Sequence, residues 1–121
     1  PLIAGESGPI HLLATTGEFY FLVPAGVKQC AVRFWGEGDL ERVSAAVFDP
    51  SGAQVWKQDD ISASQSCRIE RKDTAHDEVW RIKLSRPKTG VLEDHHVEMR
   101  GIPPILGFRP DGLLAPAHNG R

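Results

Sequence analysis

The chain has 121 residues, 40% hydrophobic and 25% charged, with a formal net charge of -2. That length suits one domain with one buried core. The 14 Lys and Arg residues are scattered, which argues against a phosphate-tracking nucleic-acid face, and no apolar run approaches the roughly 20 residues of a membrane-spanning helix. No signal peptide is recognisable, and the chain opens at Pro1 rather than at methionine, so it is expected to be an excised domain or a processed fragment.

Nine short segments bounded by Gly, Pro, Asp or Ser clusters are predicted strands. Residues 9–14 form the first. Residues 18–23 carry Phe19, Phe21 and Val23 on one face and end at Val23-Pro24-Ala25-Gly26. Residues 29–35 place Cys30, Val32 and Phe34 inward and Ala31, Arg33 and Trp35 outward, because successive side chains of a strand point to opposite faces. The loop Gly36-Glu37-Gly38-Asp39 breaks this run. Residues 42–48 turn Val43, Ala45 and Val47 inward. The turn Asp49-Pro50-Ser51-Gly52 leads to a short strand at 54–57.

Farther along, residues 66–71 offer Cys67 and Ile69 to the core. Residues 78–84 alternate most cleanly, with Trp80, Ile82 and Leu84 opposed to Val79, Arg81 and Lys83. Residues 95–100 set Val97 and Met99 against His96, Glu98 and Arg100, and residues 105–108 form a short last strand. The tail 109–121 holds Pro, Gly and Asn and is expected to be irregular. No window of 11 or more residues carries a 3.6-residue apolar period. Half-buried strands at this spacing predict an all-β fold, an antiparallel β-sandwich of jelly-roll type.

The two cysteines, Cys30 and Cys67, both alternate with core residues. A disulfide and a pair of buried free thiols are both compatible with that, since inward direction alone does not bring two Cα atoms within bonding reach. They are too few for a zinc site of the usual Cys/His kind. No Gly-x-Ser-x-Gly elbow, Cys–His arrangement or facing pair of carboxylates stands out, so no catalytic activity is expected.

Sugar recognition needs flat apolar rings for the C–H face of a pyranose and polar side chains for its hydroxyls. Trp35 and Trp56 alternate out of phase with the core residues of their strands, and Tyr20 with Phe19 and Phe21. Arg33 and Arg81 lie on outward faces and suit sugar hydroxyls or an acidic sugar's carboxylate. The same residues also fit blander roles, the rings packing under loops and the arginines keeping a sheet face solvated. Trp80 shares a face with Ile82 and Leu84 and belongs to the core. His95 and His96 are adjacent, so a regular strand sends them to opposite faces and denies them a shared metal. Asp94 is the best single candidate for a calcium ligand, calcium accepting carboxylates and turn carbonyls; no cofactor is required. Asp59, Asp60, Asp73, Asp77 and Glu78 read as solvated acidic turns.

The segment 18–26 (EFYFLVPAG), followed by a strand, a Gly-rich loop, a second strand and Asp49-Pro50-Ser51-Gly52, resembles bacterial pre-peptidase C-terminal domains and the carbohydrate-binding β-sandwich modules of similar plan. The likeness is close over 16–52. It extends loosely to the Trp80 strand and to 92–99 (LEDHHVEM), similar to the acidic turn opening the last strand of many jelly-roll modules. The loop WGEGDLERV lacks the Asp-Ala-Asp run of the protease-associated pattern. The resemblance therefore implies a secreted setting, extracellular or periplasmic, beside the catalytic domain of a bacterial glycan-degrading enzyme. Its partners would be polysaccharide or oligosaccharide and that appended domain, with neither nucleic acid nor membrane involved. The competing expectation is a spacer or docking domain whose outward aromatics pack on a catalytic neighbour.

Overall fold

The computed structural model describes residues 8–113 and the backbone of residues 2–4. Ten strands follow in chain order: β1 Leu2–Ala4, β2 Ile10–Leu13, β3 Gly17–Val23, β4 Gln29–Gly36, β5 Val43–Phe48, β6 Gln54–Ile61, β7 Gln65–Glu70, β8 Glu78–Ser85, β9 Asp94–Arg100 and β10 Ile105–Gly107. They form two antiparallel sheets, ordered β1-β10-β3-β8-β5-β6 and β2-β9-β4-β7. Eight of the nine segments expected from alternation match strands to within a residue or two at either end. The ninth runs longer, since β6 continues to Ile61 rather than stopping at Lys57. The expectation of an all-β sandwich therefore holds. A 3₁₀ turn spans Asp111–Leu113; the expected irregular tail otherwise lies mostly outside the described residues. No helix among the described residues is long and apolar enough to cross a membrane.

The alternation expresses itself as a core between the sheets. Phe21, Val23, Val47 and Ile82 from one sheet and Val32, Phe34 and Val97 from the other are fully buried. Burying side chains of this size stabilises by roughly 1.5–3 kcal/mol each. Trp80 is a core residue, as expected, and its indole N–H donates to Glu78 Oε1 at 3.0 Å. Both cysteines are free thiols; Cys67 is buried and Cys30 half-buried. In the β4–β7 register Cys30 faces Ile69 and Cys67 faces Val32, which sets the two thiols diagonally on the inner face. Burial pushes the Cys67 thiol up to about 11, so it stays protonated and unreactive at neutral pH.

The turns are made by local side-chain bonds. The Asp49 carboxylate accepts from the backbone N–H of Ser51 and of Ala53, both at 3.0 Å, and from Ser51 Oγ at 2.6 Å. Gly52 supplies the positive φ of 92° that closes this turn. These bonds to its ionised form hold the Asp49 carboxyl below the usual range. The other acidic residues are less idle than solvated turns. Asp60 belongs to β6 and accepts from Lys88 N–H at 2.7 Å, and Asp77 accepts from Ala25 N–H at 2.7 Å.

The structure corrects the outward placement of Trp56. It lies opposite Val47, on the inner face of the edge strand β6, and stacks on the buried Phe34 with centroids 5.4 Å apart and planes 14° off parallel. Val55 points outward instead and is 49% exposed. With Val55 and Trp56 adjacent, alternation alone offers the core either one. A one-residue choice of register exchanges the faces, and the indole carries the larger apolar area to bury. Register shifts on both sides of the β5–β6 ladder accompany this solution.

Candidate functional site

The five residues proposed for sugar contact fall on three different surfaces. Trp56 faces the interior. Tyr20 and Arg81 are cross-strand partners on the outer face of the six-stranded sheet. There Arg81 bonds Glu18 Oε2 at 3.0 Å, and its guanidinium lies 3.9 Å from the centroid of the Phe48 ring. A shallow hollow of about 150 Å³ on this face is lined by Ser44, Ala46, Phe48, Lys57 and Lys83. Trp35 and Arg33 stand together on the outer face of the four-stranded sheet, where the richer arrangement lies.

That arrangement follows from register. His11 on β2 faces His96 on β9, and His96 faces Trp35 on β4. The three rings stack across the strands: His11 to His96 at 4.7 Å and 14°, His96 to Trp35 at 4.9 Å and 8°. These spacings are close to the separation of neighbouring strands. The Arg33 guanidinium lies 4.4 Å from the Trp35 ring centroid, continuing the row as a cation–π contact. Arg33 also bonds Glu98 Oε1 at 3.0 Å and Ser64 Oγ at 3.3 Å. Trp35 is thus half-buried and engaged within the chain, so it presents the edge of a ring stack rather than a free platform.

Toward one end of the row, acidic residues gather. His11 Nε2 donates to Asp94 Oδ1 at 2.6 Å, and His96 Nε2 lies 3.5 Å from Glu37 Oε1. Burial, with the negative charges of Asp94, Glu93 and Glu37, pushes the Glu41 carboxyl up. Burial and the neighbouring His11 push His96 down. Asp94 is therefore committed to an imidazole. Among the described residues no three His, Cys, Asp or Glu side chains converge on a point, and calcium takes 6 to 8 oxygens.

His95 takes the opposite face, as alternation requires, and is fully buried. Its Nε2 accepts from Thr15 N–H at 3.1 Å, which puts the ring's proton on Nδ1. That atom has no hydrogen-bond partner among the described residues. Gly36 lies beside it, opposite His95 in the β4–β9 register. A Cβ on Gly36 would lie 1.8 Å from the Glu41 carbonyl oxygen, a backbone atom that cannot rotate away. Gly36→Ala is expected to destabilise by about 1–3 kcal/mol, the usual range for overpacking, and to displace the 37–42 loop from His96. A thermal melt with NMR of the His96 ring protons measures both; unchanged shifts would refute the coupling.

At the other end of the same face lies an open cleft of about 540 Å³. Its floor is Ala31, faced on either side by Arg68 of β7 and Arg100 of β9. A hydrogen bond of 3.0 Å from Gln29 Nε2 to Glu70 Oε2 closes one side. Neither Arg68 nor Arg100 stood out in the sequence. They alternate outward like any solvated strand residue, and only the pairing of β7, β4 and β9 brings them round one alanine.

No family model matches the sequence, and no curated protein matches it. What the fold and the site define is a class: an antiparallel β-sandwich domain with a polar and aromatic outer face.

Proposed function

We propose that this domain is a non-catalytic saccharide-binding module, appended to a secreted glycan-active enzyme and working outside the cell or in the periplasm. The strand orders β2-β9-β4-β7 and β3-β8-β5-β6 favour a jelly roll, because consecutive strands from β2 to β5 and from β6 to β9 alternate between the two sheets while β5 pairs with β6. The single supporting observation is that Trp35, Arg33 and the open cleft share the outer face of the four-stranded sheet. Its guanidinium groups, amide and carboxylates suit sugar hydroxyls, and the edge of the Trp35 ring adds an apolar contact beside them. A shallow polar site of this kind binds in the micromolar to millimolar range, about -4 to -8 kcal/mol.

Affinity electrophoresis and a glycan array test the reading. Trp35→Ala is expected to reduce glycan retention roughly tenfold, about 1.4 kcal/mol, by removing the ring edge and freeing Arg33. Tyr20→Ala, on the other sheet, leaves retention unchanged. Trp56→Ala is expected to lower stability by about 2–4 kcal/mol through lost contact with Phe34 and to leave retention intact. Clean negatives across plant, algal and microbial glycans would end the proposal. The second reading, a docking domain, is favoured by exposed Leu13, Leu40 and Val91, at 68%, 70% and 47%. Leu40 and Val91 adjoin through a backbone bond of 2.8 Å. In the longer protein, Leu40→Glu would then loosen a domain contact without touching glycan retention.

A further inference from the structure

We infer that the cleft between Arg68 and Arg100 selects an acidic saccharide, gripping a carboxylate or sulfate ester on a sugar ring seated over Ala31. This deepens the saccharide reading and rests on it. Arg68 and Arg100 stand on the strands flanking β4, each facing Ala31, so their Cα atoms lie about 10 Å apart across two strand spacings. Alanine keeps the floor low between two long side chains, which leaves room for one ring.

The charge balance points the same way. Glu98 Oε1 is shared by Arg33 at 3.0 Å and Arg100 at 3.1 Å, one carboxylate between two guanidinium groups. Glu70 is bonded to Gln29. Arg68 has no carboxylate within ion-pair distance among the described residues. This part of the face therefore carries an excess of positive charge on a chain whose net charge is -2. Guanidinium forks recognise carboxylate and sulfate oxygens through paired N–H donors. Exposure keeps such contacts dependent on salt.

The test is isothermal titration of the whole domain with polygalacturonate, its carboxyl-reduced neutral counterpart, a sulfated galactan and polyphosphate. Binding of polygalacturonate or the sulfated galactan is expected, the two arms naming the anionic group, with no binding of the carboxyl-reduced polymer. Arg68→Gln and Arg100→Gln are each expected to weaken it at least tenfold with unchanged melting temperature. Ala31→Leu, which fills the floor and keeps every charge, is expected to weaken it equally. Equal binding of the carboxyl-reduced polymer, or of polyphosphate, overturns the inference; so does full affinity in Ala31→Leu. Neutral-glycan binding alone would overturn it while leaving the saccharide reading in place. Failure of every saccharide, on the array as well, would remove both.

Discussion

Arg71→Ala is expected to lower the unfolding free energy by about 3–5 kcal/mol, the cost of breaking a buried charged network by removing one partner. Arg71 is only 5% exposed. Its Nε donates to Val27 O at 2.9 Å, its Nη1 to His76 O at 3.0 Å and its Nη2 to Pro24 O at 2.7 Å. Glu78 Oε1 lies 3.4 Å from Nη1 and balances the charge. One guanidinium thereby ties the β3–β4 turn to the β7–β8 loop, and truncation would leave three carbonyls without their donor. Arg71→Lys keeps the charge but loses the fork, so it is expected to recover less than half of the loss. Urea titration reads both variants, with the midpoint falling and the slope unchanged. An Arg71→Ala midpoint within error of the parent would mean that water replaces the three bonds. Residues Gln29 and Glu70 of the cleft adjoin this bolt in sequence, so its loss is also expected to blunt any binding there.

Acidification is expected to destabilise the domain between pH 6.5 and about 4, and His95 is the main cause. Its burial, followed by the nearby His96 and His11, pushes its pKa down to about 4, outweighing Asp94 and the Thr15 bond. The unfolded chain takes up this proton near 6.5 and the folded chain only near 4. Between those values the unfolded state holds more protons, so stability falls as pH falls and levels off below the folded value. The difference of about 2.5 pH units corresponds to about 3 kcal/mol. His96, also pushed down, adds to the same slope. Asp49 and Asp60, whose carboxyls are held below the usual range, lose their contribution at still lower pH. Glu41 acts in the opposite sense, since its raised carboxyl relieves repulsion as it protonates. His95→Gln keeps an acceptor for Thr15 N–H and is expected to flatten the profile of urea midpoints from pH 7 to 4. A slope that survives this substitution would place the acid sensitivity elsewhere.

The strands were largely legible because their physics is local. Trp80, Ile82 and Leu84 alternate with charged residues, and a pleated strand has no other way to hide them. Asp49-Pro50-Ser51-Gly52 closes its own turn through bonds among neighbours. His95 and His96 separate to opposite faces for the same reason. The face taken by Trp56 is not legible in the sequence, because Val55 beside it fits either face and the packing of Phe34 from the other sheet decides. The role of Arg71 is not legible in the sequence, because nothing in its neighbours announces three carbonyls from two other segments. The grouping of Trp35, Tyr20, Arg33 and Arg81 into one site failed for a related reason: each points outward, but outward means opposite directions on the two sheets.

By its order of apolar and polar residues alone, the sequence determined that this chain is all-β, where most strands begin and end, and which side chains of β3, β4, β7, β8 and β9 fill the core. Alternation and turn chemistry act over a few residues, so a single chain displays them. The tertiary structure alone decided which strands lie side by side. It thereby set the His11–His96–Trp35–Arg33 row and the two arginines around Ala31, because register joins residues far apart in the chain, as His11 and His96 are at 85 positions, through hydrogen bonds between backbones that carry no sequence label.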